Sequence, residues 1–267
     1  MCELLALNFA IPTRAAFSFH SFRQRGKHNP DGWGIAYFDD KRELRLVKEH
    51  RPEAGESELA AFVEKSMRKG TTFLSHVRRI SKGSIAYCDT HPFYRIIVQP
   101  AKQGIQEWVF AHNGTLGGDY RKDLKIGKYK RIGRTDSEFA FCHILNEITL
   151  NAPFPGKAEF YLWLHKRLRA INAYGNFNCI FSNGDELFCY FDRNGYNGLF
   201  FVHRKAPFPR IQLRDEDIEV NLDDEKDPTQ HGYVIATRPL TISEKWESFT
   251  PGELKVFKNG DMIWSRE

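Results

Sequence analysis

The sequence predicts an α+β fold in which helices are layered on antiparallel sheets. Strand-like segments dominate both ends of the chain and helical patterns lie mainly between them, so the regular strand–helix alternation of a parallel sheet is missing. Asn-Gly pairs at 183–184 and 259–260 separate apolar segments, which is typical of β-hairpins. Aromatic residues make up 14% of the chain and include 22 Phe, which favours a sheet-rich interior.

The first predicted strands mix aliphatic and aromatic residues between Gly, Pro or Asp. They cover residues 3–9, 32–38, 43–50, 71–77 and 107–112. The C-terminal part predicts two hairpins and three further strands. These cover 177–191, 252–265, 199–203, 217–222 and 233–240. The acidic stretch 214–227 is predicted to be edge or loop.

Four helices are predicted from apolar residues that recur with a period of about 3.6. They cover residues 13–24, 57–70, 135–148 and 157–175. The second is predicted to begin at a Ser57 cap and to end at Gly70. Its apolar face is predicted to consist of Leu59, Phe62, Val63 and Met67.

The composition, with 267 residues, 41% hydrophobic and 27% charged, is that of a globular protein with a substantial core. No apolar run is long enough to span a bilayer, and no basic segment precedes a signal-like stretch. The five cysteines are odd in number and include no CxxC pair, so neither a zinc site nor a disulfide framework is expected. A reducing cytoplasm is the simplest compartment.

The net charge is +5, and most Lys and Arg are interleaved with acids. The exception is KIGKYKRIGR at 125–134, with five cations in ten residues. A solvated loop is the simpler interpretation, and a patch for an anionic ligand is the alternative. Nothing resembling a nucleic-acid module accompanies it, so neither nucleic acid nor a membrane is expected as a partner.

The chain begins MCELLALNF, with cysteine in second place. If an aminopeptidase removes Met1, Cys2 carries a thiol and a free α-amine, which would make it a nucleophile with its own base. The alternative is a small apolar side chain at the start of a strand, because free Cys is among the most buried residue types.

A second motif, AHNGTL, follows the apolar strand EWVF. Asn-Gly after a strand predicts a tight turn, although TLGGDYRKD beyond it does not resemble a return strand. Such a turn can also aim the Asn113 side-chain amide and the Gly114 backbone N–H at one point, as an oxyanion hole requires.

Two further motifs place charges at the ends of elements. Arg78 in SHVRR ends a strand, where it is either a surface cation or a two-pronged donor to a carboxylate. His76, on the same face, is interpreted as structural rather than as a base. In RTDSEFAF, Thr135 and Glu138 fit a capping box. Asp136 then either complements the helix dipole or receives a ligand ammonium.

Together these motifs supply a guanidinium for a carboxylate, a carboxylate for an amine, two oxyanion donors and a thiol with its own amine. That set describes a site for an α-amino acid with a side-chain carbonyl, and glutamine is the obvious candidate. The bend QRGKHNPDGWG at 24–34 either brings backbone groups close to such a site or only turns the chain. No metal cluster or cofactor motif accompanies them.

The ordered motifs resemble those of the class II, N-terminal-cysteine glutamine amidotransferases, an Ntn-hydrolase family, and most closely its stand-alone single-domain branch. In chain order they are Met-Cys, RG with a nearby DGWG, HVR, THPF, HNG and TDSE. The resemblance implies an αββα sandwich of two antiparallel sheets between helical layers. The chain shows no internal repeat, low-complexity tract or linker, so one domain over residues 1–267 is predicted, with the family's catalytic motifs within 2–138. The strand and helix pattern is compatible with this architecture but does not select it.

The resemblance implies that Cys2 is the nucleophile and its α-amine the general base once the preceding methionine is removed. Asn113 and Gly114 match the oxyanion-hole positions. Arg78 matches the arginine that holds the glutamine α-carboxylate, and Asp136 matches the aspartate that holds the α-amino group.

Arg25 and Gly26 match the RG pair whose glycine contacts the substrate amide, and the bend at 31–34 is implied to support the same pocket. The family's glutamine-closing loop falls on RISKGSIAYCDT. Where better-known members carry Thr-His-Gly, this chain has Ser-Lys-Gly. Ser81 could still donate to a substrate carboxylate, whereas Lys82 changes the charge of the loop.

The predicted activity is hydrolysis of the glutamine side-chain amide through a thioester, without cofactor or metal. The ammonia then either reaches an acceptor on a separate partner protein or is released. Hydrolysis of another γ-glutamyl amide is the alternative, motivated by the altered loop. A non-catalytic glutamine-binding subunit is the alternative from another class. The sequence identifies neither the acceptor nor the oligomeric state.

Overall fold

The computed structural model describes residues 1–99, 104–152, 158–216, 218–222 and 227–267. Strands β1–β15 of these ranges cover Glu3–Thr13, Trp33–Asp39, Leu44–Glu49, Gly70–Val77, Phe93–Gln99, Gly104–Leu116, Gly175–Ser182, Leu187–Tyr190, Phe200–Lys205, Arg210–Gln212, Glu219–Asn221, His231–Ala236, Glu247–Ser248, Leu254–Lys258 and Asp261–Arg266. Helices α1–α5 cover Ala16–Arg23, Glu58–Ser66, Tyr120–Asp123, Asp136–Asn151 and Ala158–Asn172. Short 3-10 helices cover Gln24–His28 and Tyr87–Asp89.

Two antiparallel sheets form the centre of the molecule. The first has the strand order β13-β9-β12-β1-β4-β2-β3, and the second has the order β15-β14-β8-β7-β6-β5. In the first sheet β1 lies between β4 and β12, with Glu3 opposite Val77. Because β1 and β4 are antiparallel, the beginning of β1 lies beside the end of β4.

Alternation along β1 explains the layering, since successive side chains of a strand point to opposite faces. Leu4 and Ala6 join a cluster between the sheets with residues of the second sheet such as Val109. Leu5 and Leu7 instead join the cluster that contains the buried residues of α1 and α2.

The outer face of the second sheet is covered by α4 and α5. Phe110 of β6 stacks on Phe141 of α4, with ring centroids 5.1 Å apart, and Leu164 of α5 joins the same cluster. The order of layers is therefore helices, sheet, sheet, helices, and the predicted α+β sandwich is confirmed. Among the described residues, no helix combines the length and apolarity needed to cross a bilayer.

The hairpin predictions are confirmed. Lys258 pairs with Asp261 across a two-residue loop in which Asn259 and Gly260 have φ of 50° and 82°. Positive φ at both positions is what a type I′ turn requires. The Asn-Gly pair at 183–184 lies in a longer loop, because Ser182 pairs with Leu187.

The second predicted helix is confirmed in type but not in orientation. Ser57 caps α2 by accepting a 2.9 Å hydrogen bond from the Ala60 amide. Phe62, 65% exposed, and Leu59 lie on the solvent side, whereas Ala60 is buried. The predicted apolar face was therefore partly wrong. The end of the helix was also misplaced, because Gly70 begins β4.

The capping box on α4 is half formed. Thr135 accepts a 3.1 Å hydrogen bond from the Glu138 amide. The Glu138 carboxylate instead accepts from the Ile132 and Gly133 amides and pairs with Arg95. Of the predicted acidic edge or loop, Glu219–Asn221 forms β11, while residues 217 and 223–226 lie outside the described residues.

Candidate active site

Cys2 lies just before β1 and is held on two sides. Its thiol donates to the Arg79 carbonyl at 3.1 Å and accepts from the Arg79 amide at 3.1 Å. Its carbonyl oxygen accepts from the side-chain amides of Asn113 at 2.5 Å and Asn197 at 3.0 Å. Arg79, just after the end of β4, therefore fixes the sulfur of Cys2. Asn113 of the second sheet and Asn197 of the loop after β8 fix its main chain.

The surroundings of Cys2 act on its pKa in opposite directions. Burial raises the pKa of the thiol, and the Arg79 amide and the Arg78 guanidinium partly offset that rise. The net shift is upward, so the thiol is mostly protonated at neutral pH. Attack by this sulfur therefore requires a nearby base that removes the proton.

Asn113 and Gly114 lie inside β6, opposite Asn178 and Phe177 of β7. The predicted tight turn at this Asn-Gly pair was wrong, because β6 continues to Leu116. A Cβ atom at Gly114 would overlap the Asn176 carbonyl oxygen, so the close pairing of these strands requires glycine there. The side chain of Asn113 is thereby presented from a rigid strand rather than from a turn.

A first cavity at Cys2, of about 20 Å³, is lined by Arg78, Lys82, His91 and Asp136 among others. The Arg78 guanidinium donates to the carbonyls of Lys82 at 2.9 Å and Ser84 at 2.7 Å. Asp136 accepts a 2.6 Å hydrogen bond from the Leu116 amide. A buried guanidinium and a buried carboxylate therefore lie on the walls of one small cavity.

A second cavity at Cys2 is larger, about 200 Å³, and more open. It is lined by Met1, Cys2, Arg79, Ile80, Ser81, Asn113, Gly114, Thr115 and Tyr196. The Ser81 hydroxyl lies 3.0 Å from the Thr115 hydroxyl, so it is hydrogen-bonded to β6. The thiol thus separates a small polar cavity from a wider one that contains the side chain of Met1.

The loop that follows β4 also closes part of the small cavity. The Lys82 ammonium donates to the Leu116 carbonyl and lies over the Tyr120 ring. Asp89 accepts from the Ser84 amide and hydroxyl, at 2.7 and 2.9 Å, and from the Arg134 amide at 2.6 Å. The loop is thereby tied both to β6 and to the basic segment before α4.

Two buried imidazoles flank this region. The His76 and His91 rings lie with centroids 4.3 Å apart. Burial, reinforced by Arg78, lowers the pKa of His76 to about 3, and burial also lowers the pKa of His91. Both rings are therefore neutral at neutral pH, and the structural interpretation of His76 stays a prediction.

A family model described as class-II glutamine amidotransferases matches residues 1–267. The chain belongs to this family. Class II glutamine amidotransferases are amidohydrolase enzymes, so the chain is an enzyme of that kind.

Related proteins agree with this assignment. An uncharacterized protein of Methanocaldococcus jannaschii is 43% identical over all of this chain and 72% of its own length. YafJ of Escherichia coli, named as a candidate glutamine amidotransferase, is 34% identical over 98% of this chain and 100% of its own.

Solved structures agree as well. The crystal structure of a predicted glutamine amidotransferase from Pseudomonas aeruginosa has a TM-score of 0.70 and 29% identity, over 98% of this chain and 100% of that chain. The glutamine phosphoribosylpyrophosphate amidotransferase of Bacillus subtilis has a TM-score of 0.65 and 16% identity. It covers 100% of this chain and 49% of its own, and it supports the fold alone.

The structure brings six of the eight predicted site residues, Cys2 included, to one place in this class II enzyme. Ser81 and Gly114 line both cavities at Cys2, whereas Arg78 and Asp136 line the small one and Asn113 the larger one. Asp31, in the predicted supporting bend, accepts a 2.8 Å hydrogen bond from the Ile80 amide.

Arg25 and Gly26 line neither cavity at Cys2. Arg25 is buried and donates to Glu3 and Asp215, each at 2.8 Å, and to two main-chain carbonyls. Gly26 packs against Glu53, and a Cβ atom there would overlap that carboxylate. Arg25 therefore supports the beginning of β1, whereas Gly26 packs against the segment before α2.

Sequence reasoning missed Asn197 and Tyr196, which approach Cys2 from the loop after β8. Their only sequence signal is the Asn-Gly pairs at 194–195 and 197–198, which predict turns and no chemistry. Within the described residues, no group of three His, Cys, Asp or Glu side chains could hold a metal ion.

Proposed function

We propose that this enzyme hydrolyses the side-chain amide of glutamine through a thioester on Cys2. The observation that supports it most directly is the small cavity beside the thiol, with Arg78 and Asp136 on its walls. A guanidinium suits an α-carboxylate and a carboxylate suits an α-ammonium, so the pair fits the amino-acid end of glutamine. The amide of such a ligand would extend towards Cys2.

The proposal requires removal of Met1. Met1 is 59% exposed and lies in the larger cavity, where an aminopeptidase could reach it. Its removal would replace the amide nitrogen of Cys2 by an amine with a reference pKa of about 7.7–8.0. That amine would be half in its basic form near pH 8 and about a tenth basic at pH 7, which suits a general base for the buried thiol.

The proposed reaction has two halves. The Cys2 amine takes the thiol proton as the sulfur attacks the amide carbonyl, and Asn113 with the Gly114 N–H stabilises the oxyanion. The protonated amine then gives its proton to the leaving nitrogen, which releases ammonia and leaves a γ-glutamyl thioester. Water, deprotonated by the same amine, hydrolyses the thioester to glutamate and the free thiol.

Substrate entry requires the loop after β4 to move in this proposal. The small cavity, of about 20 Å³, holds roughly one water molecule. Arg78 is bonded to the Lys82 and Ser84 carbonyls, so the substrate carboxylate would replace these acceptors. Ser81, on the same loop, would then be free to donate to that carboxylate.

The test combines intact mass with a glutaminase assay on untagged protein. We expect a mass that lacks Met1 and equimolar release of ammonia and glutamate. A chain with a cleavable tag provides the matched control, because it should become active only when cleavage exposes Cys2. Full activity in a chain that retains Met1 would refute the mechanism.

Cys2→Ala should abolish turnover, and a glutamine-mimicking electrophile should label wild-type protein only at Cys2. Absence of labelling would instead support a binding role without catalysis. We propose that the ammonia is transferred to an acceptor on a separate protein or is released.

A second candidate function is hydrolysis of another γ-glutamyl amide. The larger cavity favours it, because about 200 Å³ beside Cys2 could hold an amine substituent that free glutamine lacks. Parallel assays with glutamine and γ-glutamyl-methylamide discriminate the two. Turnover of the substituted amide alone would favour the second function.

A further inference from the structure

Asn197 contacts the nucleophile from the loop between β8 and β9. Its side-chain amide donates to the Cys2 carbonyl oxygen at 3.0 Å, beside the 2.5 Å bond from Asn113. Asn197 has φ of 58°, in the left-handed region that non-glycine residues seldom adopt. Asn is among the few residues that tolerate this conformation. In this conformation its side-chain amide is directed at Cys2.

The loop around Asn197 is fixed by buried polar groups. The Asp192 carboxylate accepts from the amides of Asn194 at 2.8 Å and Tyr196 at 3.3 Å. Asn178 of β7 donates to the Tyr196 carbonyl at 2.6 Å and accepts from the Asp192 amide at 2.7 Å. Asn178 and Asp192 are fully buried, so the residue before Asn197 is anchored to the second sheet.

Asn178 also stands opposite Asn113 in the β6–β7 ladder. The two amides that meet at the Cys2 carbonyl therefore share one rigid support. Asn113 approaches directly from β6, and Asn197 approaches through Asn178 and the loop. The main chain of Cys2 is held against this support by both donors.

We propose that Asn197 is a positioning residue that holds the nucleophile for reaction. The proposal rests on the proposed function, in which Met1 is removed. Without Met1, Cys2 is tethered to the chain on one side only, and a free chain end frays unless it is tied down. Asn197 supplies part of that tie through the Cys2 carbonyl.

The second donor also bears on the proposed role of Asn113. A side-chain amide has two N–H bonds, and one N–H of Asn113 is directed at the Cys2 carbonyl. Asn197 adds a second donor to that carbonyl, and the other N–H of Asn113 stays available for the oxyanion. Loss of Asn197 therefore affects turnover more than substrate affinity.

The test compares Asn197→Gly with Asn194→Gly. Glycine keeps the left-handed backbone without strain and removes only the amide. Asn194 lies in the same loop with an exposed side chain, so its substitution controls for loop flexibility. We expect Asn197→Gly to lower kcat about 10- to 100-fold with KM within about twofold, and Asn194→Gly to change neither.

Asn197→Asp, paired with Asn194→Asp, gives a second readout. A carboxylate near the Cys2 amine would favour the ammonium form, raise the pKa of the amine and move the acidic limb of the kcat profile to higher pH. A purely structural role would not move that limb. A kcat of Asn197→Gly within about twofold of wild type would overturn the proposal, as would equal losses in the Asn194 variants.

Folding and function are separated by two further measurements. A cooperative thermal transition is expected for each variant, and loss of that transition together with activity would also overturn the positioning role. If wild-type protein releases no ammonia from glutamine, the proposed function fails on its own. The rate at which chloroacetamide labels Cys2 then still tests Asn197. We expect slower labelling of Cys2 in Asn197→Asp than in Asn194→Asp.

Discussion

The main-chain amide of Ile80 donates a 2.8 Å hydrogen bond to the Asp31 carboxylate. The Asp31 amide in turn donates to the Arg78 carbonyl at 2.9 Å, and the Arg78 amide donates to the Gly32 carbonyl at 2.7 Å. The bend before β2 is thereby joined to the end of β4. Arg79, which brackets the Cys2 thiol, lies between the bonded residues.

Asp31→Ala should loosen the thiol through this connection. Loss of one exposed hydrogen bond is expected to lower the free energy of unfolding by about 1 kcal/mol. The larger effect is expected in kcat/KM, about tenfold, because Arg79 would no longer be fixed against the sulfur. Asp31→Asn, which keeps an acceptor oxygen, should retain most activity, and equal losses in both variants would contradict the role of this bond.

Asn113→Ala should be severe but not absolute. Loss of one oxyanion donor typically costs about 10²–10³ in kcat. Asn113→Asp has the same shape but no side-chain N–H and should lose at least as much, which steady-state kinetics at saturating glutamine would measure. A kcat within about tenfold of wild type in both variants would show that Asn113 is not an oxyanion donor.

Arg25→Met should affect stability rather than substrate binding. The variant removes the ion pair between Arg25 and Asp215 and leaves Glu3 with Arg238 as its ionic partner among the described residues. We expect a loss of about 3 kcal/mol in the free energy of unfolding, measured by guanidinium titration. KM for glutamine should stay within about twofold. Arg25→Lys should show an intermediate loss in the free energy of unfolding. A raised KM with wild-type stability would instead indicate that Arg25 acts in the substrate pocket.

Formation of the covalent adduct should change amide hydrogen exchange in the loop after β4. If glutamine binds in the small cavity as proposed, the cavity is too small to hold it, so the loop would open and close again around the ligand. We expect a glutamine-mimicking electrophile to alter exchange across residues 79–84 while β1 stays unchanged. Cys2→Ala, which cannot form the adduct, is the control, and identical changes in that variant would contradict the prediction.

Local sequence patterns predicted those parts of the fold whose cause is local. The Asn259-Gly260 hairpin and the Ser57 and Thr135 caps depend on neighbouring residues and were recovered. The Asn113-Gly114 turn was wrong because β6 pairs with β7, a strand that begins only at Gly175. No short window contains that information.

The candidate site likewise contains residues that the sequence motifs predicted and residues that they did not. Cys2, Arg78 and Asp136 were found through ordered motifs, and the structure brings them to one cavity. Arg25 was assigned to the substrate, yet its ionic partners lie 22 and 190 positions along the chain. Asn197 lies 195 positions from Cys2 and carries no chemical signature. Contacts of that separation follow from strand pairing and loop packing, which the linear pattern does not encode.

His76→Phe should reduce the acid sensitivity of the fold. Burial lowers the pKa of His76 to about 3, below the reference of about 6.5 expected for the unfolded chain. The stability from the neutral ring is therefore present above about pH 6.5 and is lost as the pH falls towards 3, because only the unfolded chain takes up the proton.

Between about pH 7 and pH 5, one such histidine lowers the free energy of unfolding by about 2 kcal/mol. Denaturant titrations at both pH values should show a smaller drop for His76→Phe than for wild type. Some drop should remain, because burial also lowers the pKa of the stacked His91. His50→Gln, at an exposed histidine, should leave the drop unchanged. An unchanged drop in His76→Phe would show that the ring is protonated in the folded state.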